Sequence, residues 1–119
     1  MSEEFKRIAK QELIEDITEI GNLLQTCLDD TNMHTKASDM EKHIHKIKGL
    51  APMMGQEQIG QVAPLLDKIL KTSLDGTVVS GLYQTIANSH VFMKNAINDS
   101  AQNYDELIAQ IKSDHKDIL

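Results

Sequence analysis

The chain has 119 residues, a formal net charge of −6, 3% aromatic residues and no Trp, which fits one domain with a modest aliphatic, Met-rich core and leaves no room for a nucleotide-binding domain beside another. The acidic balance argues against a nucleic-acid partner, which would need a basic face to displace counterions. No apolar run approaches membrane-spanning length, the start Ser2-Glu3-Glu4 is unlike a signal peptide, and the single Cys27 allows no internal disulfide, so the expectation is a soluble protein of a reducing cytoplasm.

Pro is limited to Pro52 and Pro64 and β-branched residues are scattered, which favours an all-α fold. A first helix is expected from about Glu3 to Leu28, with Phe5, Ile8, Leu13, Ile17, Ile20, Leu24 and Leu28 in one stripe. Asp29-Asp30-Thr31-Asn32 reads as a turn. A second helix starts between Thr35 and Asp39, with Ser38 or Asp39 as N-cap, and ends at Gly55. The third runs from about Glu57 to Thr72 with Ile59, Val62, Leu66, Ile69 and Leu70 inward; Pro64 bends it, and the small Gly60 four residues back eases that bend. After a turn at Ser73 to Gly76, the fourth helix spans Val78 to Asn98 on Leu82, Ile86, His90, Met93 and Ile97. A fifth covers Ala101 to Ser113 on Tyr104, Leu107, Ile108 and Ile111. With no repeat or linker, residues 1–119 form one domain, an antiparallel four-helix bundle with a short additional terminal helix.

The chemistry concentrates in the run from His45 to Gly55. On a helical wheel Met40, Ile44, Ile47, Ala51 and Met54 make one apolar stripe; His45 lies roughly 140° from its middle and Lys48 roughly 80°, on the same flank. Gly49 falls opposite the stripe and leaves the backbone bare beside the imidazole. A ring nucleophile, a cation one turn on and no bulk between them make a surface on which a phosphoryl group can sit. Neutral imidazole carries a lone pair and has an ordinary pKa of ~6.5, so it serves as a nucleophile near neutrality.

His45, Lys48, Gly49 and Gly55, with Ile47 and Ala51 between them, resemble the His-x-x-Lys-Gly signature of histidine-containing phosphotransfer (HPt) domains. The likeness is specific from Met40 to Leu70. It looks closest to the phosphoacceptor domain of chemotaxis histidine kinases, whose sequences are similar to Gly55-Gln56-Glu57-Gln58-Ile59 and Leu65-Leu66-Asp67-Lys68-Ile69-Leu70. The resemblance implies a four-helix bundle with the histidine mid-helix on the second helix. It implies that Nε2 of His45 takes the phosphoryl group, that Asp67 accepts from Nδ1, and that Lys48 neutralises phosphoryl oxygens, with Lys46 and Lys71 as outer cations beside Gly49. Phosphoryl transfer asks for positioning and charge stabilisation more than covalent help. The implied partners are a histidine kinase or hybrid kinase and a response-regulator receiver domain, which brings the aspartate and the Mg²⁺; this chain is expected to bind no cofactor or metal. A monomeric carrier would meet them on a rim of Glu41, Leu50, Pro52, Met53 and Pro64.

Pro64 stands where the chemotaxis kinases usually have a second histidine, and Asp67 is one methylene shorter than their Glu. These departures support a rival reading, an interaction module that binds a receiver or kinase without carrying phosphate. A metal-binding bundle ranks third, since the histidines show no shared-face spacing with carboxylates. His43 lies roughly 160° around the helix from His45, as a packed or surface residue. His34, His90 and His115 have no evident partner. A chain this short lacks an ATP-binding domain and is expected to be a phosphocarrier rather than an enzyme, and the natural-looking start at Met1 with the polar end Asp114 to Leu119 favours a stand-alone carrier.

Overall fold

The structure is a computed structural model that describes residues 2–119. Its regular structure is entirely helical: α1 (Glu3–Gln25), α2 (Asp30–Thr35), α3 (Ala37–Met53), α4 (Glu57–Leu74), α5 (Leu82–Ile97) and α6 (Tyr104–Asp114). The four long helices close a ring in which α1 packs on α3, α3 on α4, α4 on α5 and α5 back on α1. α6 lies along α4 and α5, joined to the bundle in part by the tilted ring pair Phe92–Tyr104 at 5.8 Å. This is the all-α bundle with a short additional terminal helix that the periodicity predicts.

The core is the predicted one in its middle. Leu13, Ile20, Met40, Ile44, Ile47, Ile59, Val62, Leu66, Ile69 and Leu70 lose all their solvent exposure. Each is a side chain whose burial stabilises by about 1.5–3 kcal/mol before conformational entropy is counted. α3 ends in a Schellman arrangement: Gln56 N–H donates to Ala51 C=O at 2.9 Å and Gly55 N–H to Pro52 C=O at 3.2 Å. Gly55 sits at φ +72°, a left-handed backbone that suits glycine and sets the turn into α4.

The structure corrects the sequence reading at the element ends. α1 stops at Gln25, where the Thr26 hydroxyl donates to Leu23 C=O at 2.8 Å and Cys27 takes the buried position; Leu28 is 76% exposed. Phe5 and Ile8 continue the apolar spacing toward the start of α1, but both are exposed. The expected turn at 29–32 is instead the start of α2. The Asp29 carboxylate accepts from Asn32 N–H at 2.8 Å, and Met33 is buried under it. Because α2 runs almost directly into α3, Lys36 occupies the N-cap position of α3 without a side-chain bond, and neither Ser38 nor Asp39 caps it. α5 starts at Leu82 rather than Val78, and its free N–H groups are met from afar: Asp30 accepts from Gly81 N–H at 2.9 Å and Tyr83 N–H at 2.8 Å. α6 likewise begins at Tyr104, not Ala101.

Gly60 has a different use from the one expected. A Cβ there would lie 3.1 Å from Cγ of Pro52, so its bareness lets the Pro52 ring of α3 seat against α4. α4 runs through Pro64 without a break, as predicted, but continues past Thr72 to Leu74, so Ser73 of the expected turn is a buried helical residue. His34 and His115 do find partners. His34 Nδ1 pairs with the Ser73 hydroxyl at 3.0 Å, tying α2 to α4, and buried His115 bonds through Nε2 to the Thr85 hydroxyl at 2.7 Å. His90 is half-buried over Gly21, where a Cβ would meet its ring at 2.8 Å.

Two expectations follow from this packing. Ile44→Ala should cost about 2–5 kcal/mol in urea unfolding and Leu28→Ala less than about 0.5 kcal/mol; equal effects would contradict the register of α1 and α3. Burial pushes the imidazole of His115 below its ordinary pKa, and burial followed by the Lys94 charge does the same to His90. The unfolded chain therefore binds protons more readily at both, so their contribution is full above an unfolded value of about 6.5 and is lost as pH falls below it. The urea midpoint should drop between about pH 7 and pH 5, and His115→Gln should flatten that slope.

Candidate functional site

α3 carries its apolar stripe into the core, and the same geometry pushes His45, one position off the stripe at Ile44, to the surface with 61% of its side chain exposed. α4 lies beside it and presents Asp67 from the edge of its own buried face. That carboxylate is 2% exposed, and its Oδ2 accepts from Lys71 Nζ at 2.8 Å and from Lys48 Nζ at 3.3 Å. Glu41, one turn before His45, completes the group: the ligand atoms of Glu41, His45 and Asp67 all lie within 4.8 Å of one another.

His45 Nδ1 is 3.8 Å from Asp67 Oδ2 and 3.9 Å from Glu41 Oε1. Both separations exceed hydrogen-bond length, so the expected direct bond from Nδ1 to Asp67 is not made. The shorter side chain is the physical reason, together with the two ammonium groups that already hold Oδ2. Asp67 Oδ1 is buried without a partner.

The charges compensate one another. Burial raises the Asp67 pKa, but the hydrogen bond from Lys71, the neighbouring Glu41 carboxyl and the hydrogen bond from Lys48 outweigh it and hold the carboxyl below its ordinary range. Glu41 moves the other way: burial, then its contact with Asp67 and the Asp67 charge, raise its pKa and draw it toward neutrality. Asp67 in turn raises the pKa of Lys71 and keeps that ammonium charged. The site is thus an anion held by two cations beneath an exposed ring, with a second carboxylate beside it whose pKa is raised.

Gly49 is as bare as expected, with nothing within 4 Å of where its Cβ would be. Leu50 and the exposed Met53 line an open groove with His45, Lys46, Gly49 and Glu12 of α1. Other expected members fall elsewhere. The Lys46 ammonium lies 3.1 Å from Asp16 Oδ1 on α1, so it is engaged away from Asp67. Pro52 faces a separate cleft with Glu57, Gln58, Gly60, Gln61 and Tyr104, on the α4 side of α3. Pro64 is half-buried within α4.

The expectation that no histidine shares a face with carboxylates is also corrected, since Glu41 and His45 sit four residues apart and Asp67 joins them from α4. Three such atoms are a cation-binding spacing, but Lys48 and Lys71 occupy Asp67 as its counter-ions. Asp16 is a site residue that no motif marks; its place three residues after Leu13 and four before Ile20, a carboxylate on the buried face of α1, is the signal for it in the sequence.

Lys71→Met should raise the carboxyl pKa of Asp67, which loses its largest favourable contact, and raise that of Glu41 as well. Side-chain ¹³C shifts followed through a pH titration measure both, and an unmoved Asp67 would show that Lys71 does not hold it. Comparison of the chain with protein-family models, with curated proteins and with solved structures finds no match in any of the three.

Proposed function

We propose that this protein is a histidine phosphocarrier of a two-component phosphorelay, accepting a phosphoryl group on Nε2 of His45 from a histidine kinase or receiver aspartate and passing it to another receiver aspartate. The observation that carries this reading is an exposed mid-helix imidazole standing over an aspartate held by two lysines, with a bare glycine one turn on. The resemblance of His45-x-x-Lys48-Gly49 to the HPt signature supports it from the sequence side.

In transfer from a receiver aspartyl phosphate, the Nε2 lone pair attacks phosphorus as the bond to the donor oxygen breaks and the aspartate carboxylate leaves; from a phosphohistidine donor the P–N bond breaks and the donor imidazole leaves. Lys48 meets the phosphoryl oxygens while Asp67, its own charge held by Lys71, stabilises the cationic ring that forms. The separation of 3.8 Å at Nδ1 closes by a small rotation of the ring or through one bridging water. The groove between α1 and α3, with Leu50 and Met53 on its rim, gives a receiver domain apolar contact next to the reacting nitrogen. The receiver supplies the Mg²⁺, and this chain works as a carrier in the cytoplasm.

The missing bond at Nδ1 favours one other reading, a module that binds a receiver or kinase without accepting phosphate. The two are separated by incubating the chain with a phosphorylated receiver. Wild type should take up acid-labile, base-stable label and His45→Gln none from this donor, with receiver binding retained. Lys48→Ala should slow uptake about tenfold, less than the ~10²-fold of an enclosed oxyanion donor because the site is open to water. Binding without label on wild type would establish the module instead.

A further inference from the structure

The stretch His43-Ile44-His45-Lys46-Ile47-Lys48 contains the His-x-x-Lys spacing twice, offset by two residues. The structure treats the two copies alike. His45 and Lys48 face Asp67 of α4, while His43 and Lys46 face Asp16 of α1. Both aspartates are 2% exposed, both carry a lysine on the oxygen nearer the histidine, and both leave the other oxygen buried and unpartnered. They differ in one respect that matters for chemistry: His43 Nδ1 is 2.9 Å from Asp16 Oδ1, a true hydrogen bond, where His45 Nδ1 stands 3.8 Å from its aspartate.

A carboxylate only accepts, so in this bond Nδ1 of His43 donates and the neutral ring keeps its lone pair on Nε2. Orientation, tautomer and stabilisation of a cationic ring are thereby built in, the arrangement by which an aspartate makes an imidazole a better base or nucleophile. Lys46 sits one turn along the same face. The bond to Asp16, then the charges of Asp16, Glu12 and Glu15, keep its ammonium protonated, which offsets the carboxylates that an arriving phosphoryl group would meet. The side chain of His43 is 27% exposed, against 61% for His45. A ring so covered suits a small donor rather than a docked protein domain.

We infer that His43, held by Asp16, is a second phosphoryl acceptor of this chain, serving low-molecular-weight phosphoryl donors rather than a receiver. With phosphoramidate as donor, the Nε2 lone pair forms the N–P bond as the P–N bond of the donor breaks and ammonia leaves. The ring becomes a phosphoimidazolium whose Nδ1–H remains on Asp16, so no proton has to be moved. The inference stands on Asp16 and not on the assignment of His45, and the two fail separately.

The test is labelling of the full chain with phosphoramidate, with the modified position located by tandem mass spectrometry at alkaline pH. His45→Gln should retain label at position 43, His43→Gln should retain it only at position 45, and the double variant should take up none. Asp16→Asn should cut labelling of His43 about tenfold while label at His45 persists, with helix content checked by circular dichroism. Should Asp16→Asn fail to fold, the two single histidine variants decide the matter. Label confined to His45 in the wild type, and lost in a folded His45→Gln, overturns the inference and leaves Asp16–His43 a packing contact. Absence of label from both histidines overturns it too, and uptake from a phosphorylated receiver then tests the carrier reading by itself.

Discussion

The rotation of α3 about its own axis fixes nearly everything else in this molecule. Five fully or almost fully buried residues, Ala37, Met40, Ile44, Ile47 and Ala51, leave that helix one way to lie between α1 and α4. Sliding it by one residue would turn Ile44 outward and pull His45 toward the core, a loss of several kcal/mol of apolar burial. With the stripe seated, the two flanks of α3 face opposite neighbours. The polar positions then divide between them in pairs three residues apart, His43 and Lys46 toward α1, His45 and Lys48 toward α4. The chemistry of both flanks is therefore a consequence of core packing.

Each flank ends on a buried aspartate, and the two serve α3 in the same way. Burial of a carboxylate is expensive unless cations and hydrogen bonds compensate it, and removing one partner leaves an uncompensated charge. Asp67 has Lys48 and Lys71; Asp16 has His43 and Lys46. In both, compensation is confined to one oxygen, and the other is buried without a partner. An arrangement that leaves half of each carboxylate unsatisfied is poor as a source of stability, since an apolar pair would fill the same space at less cost. It is understandable as a way to hold Lys46 and Lys48 on the two flanks of α3 and to fix the ring of His43.

The parts legible in the sequence are those governed by local periodicity. The stripes of α3 and α4 match the buried core except at Met54, which follows the end of α3 and is only half-buried, and the flank shared by His45 and Lys48 follows from angle alone. What could not be read depends on partners distant along the chain. The N-terminus of α5 is met by Asp30, fifty-one residues before Gly81, so no local cap marks its start and Val78 looked like a beginning. Gly60 looked like relief for Pro64 because both are on one helix, whereas the residue it accommodates is Pro52 on another. The bonds of His34 to Ser73 and His115 to Thr85 are equally invisible to a wheel. Leu28 departs from expectation for the opposite reason: the apolar spacing continues to it, but Thr26 has already closed the helix.

Accessibility and orientation of an imidazole oppose each other on a helix surface, and α3 holds one example of each. A ring that reaches a large partner must project into solvent, where few protein groups can grip its second nitrogen; His45 does this, and its Nδ1 stands beyond bonding distance of both carboxylates. A ring gripped at Nδ1 must lie back against a neighbouring helix and give up exposure, as His43 does on Asp16. For an exposed ring the missing grip is recovered only when a partner covers the site, excludes water and lowers the local dielectric, which strengthens the pull of Asp67 across the remaining gap. On the proposed function this makes docking part of the activation of His45. An exposed histidine whose Nδ1 has no hydrogen-bond partner in the unbound protein becomes an oriented nucleophile at the moment an acceptor or donor domain arrives. The short Asp67 would then be an advantage over a longer carboxylate, because it delays the bond at Nδ1 until the partner is in place.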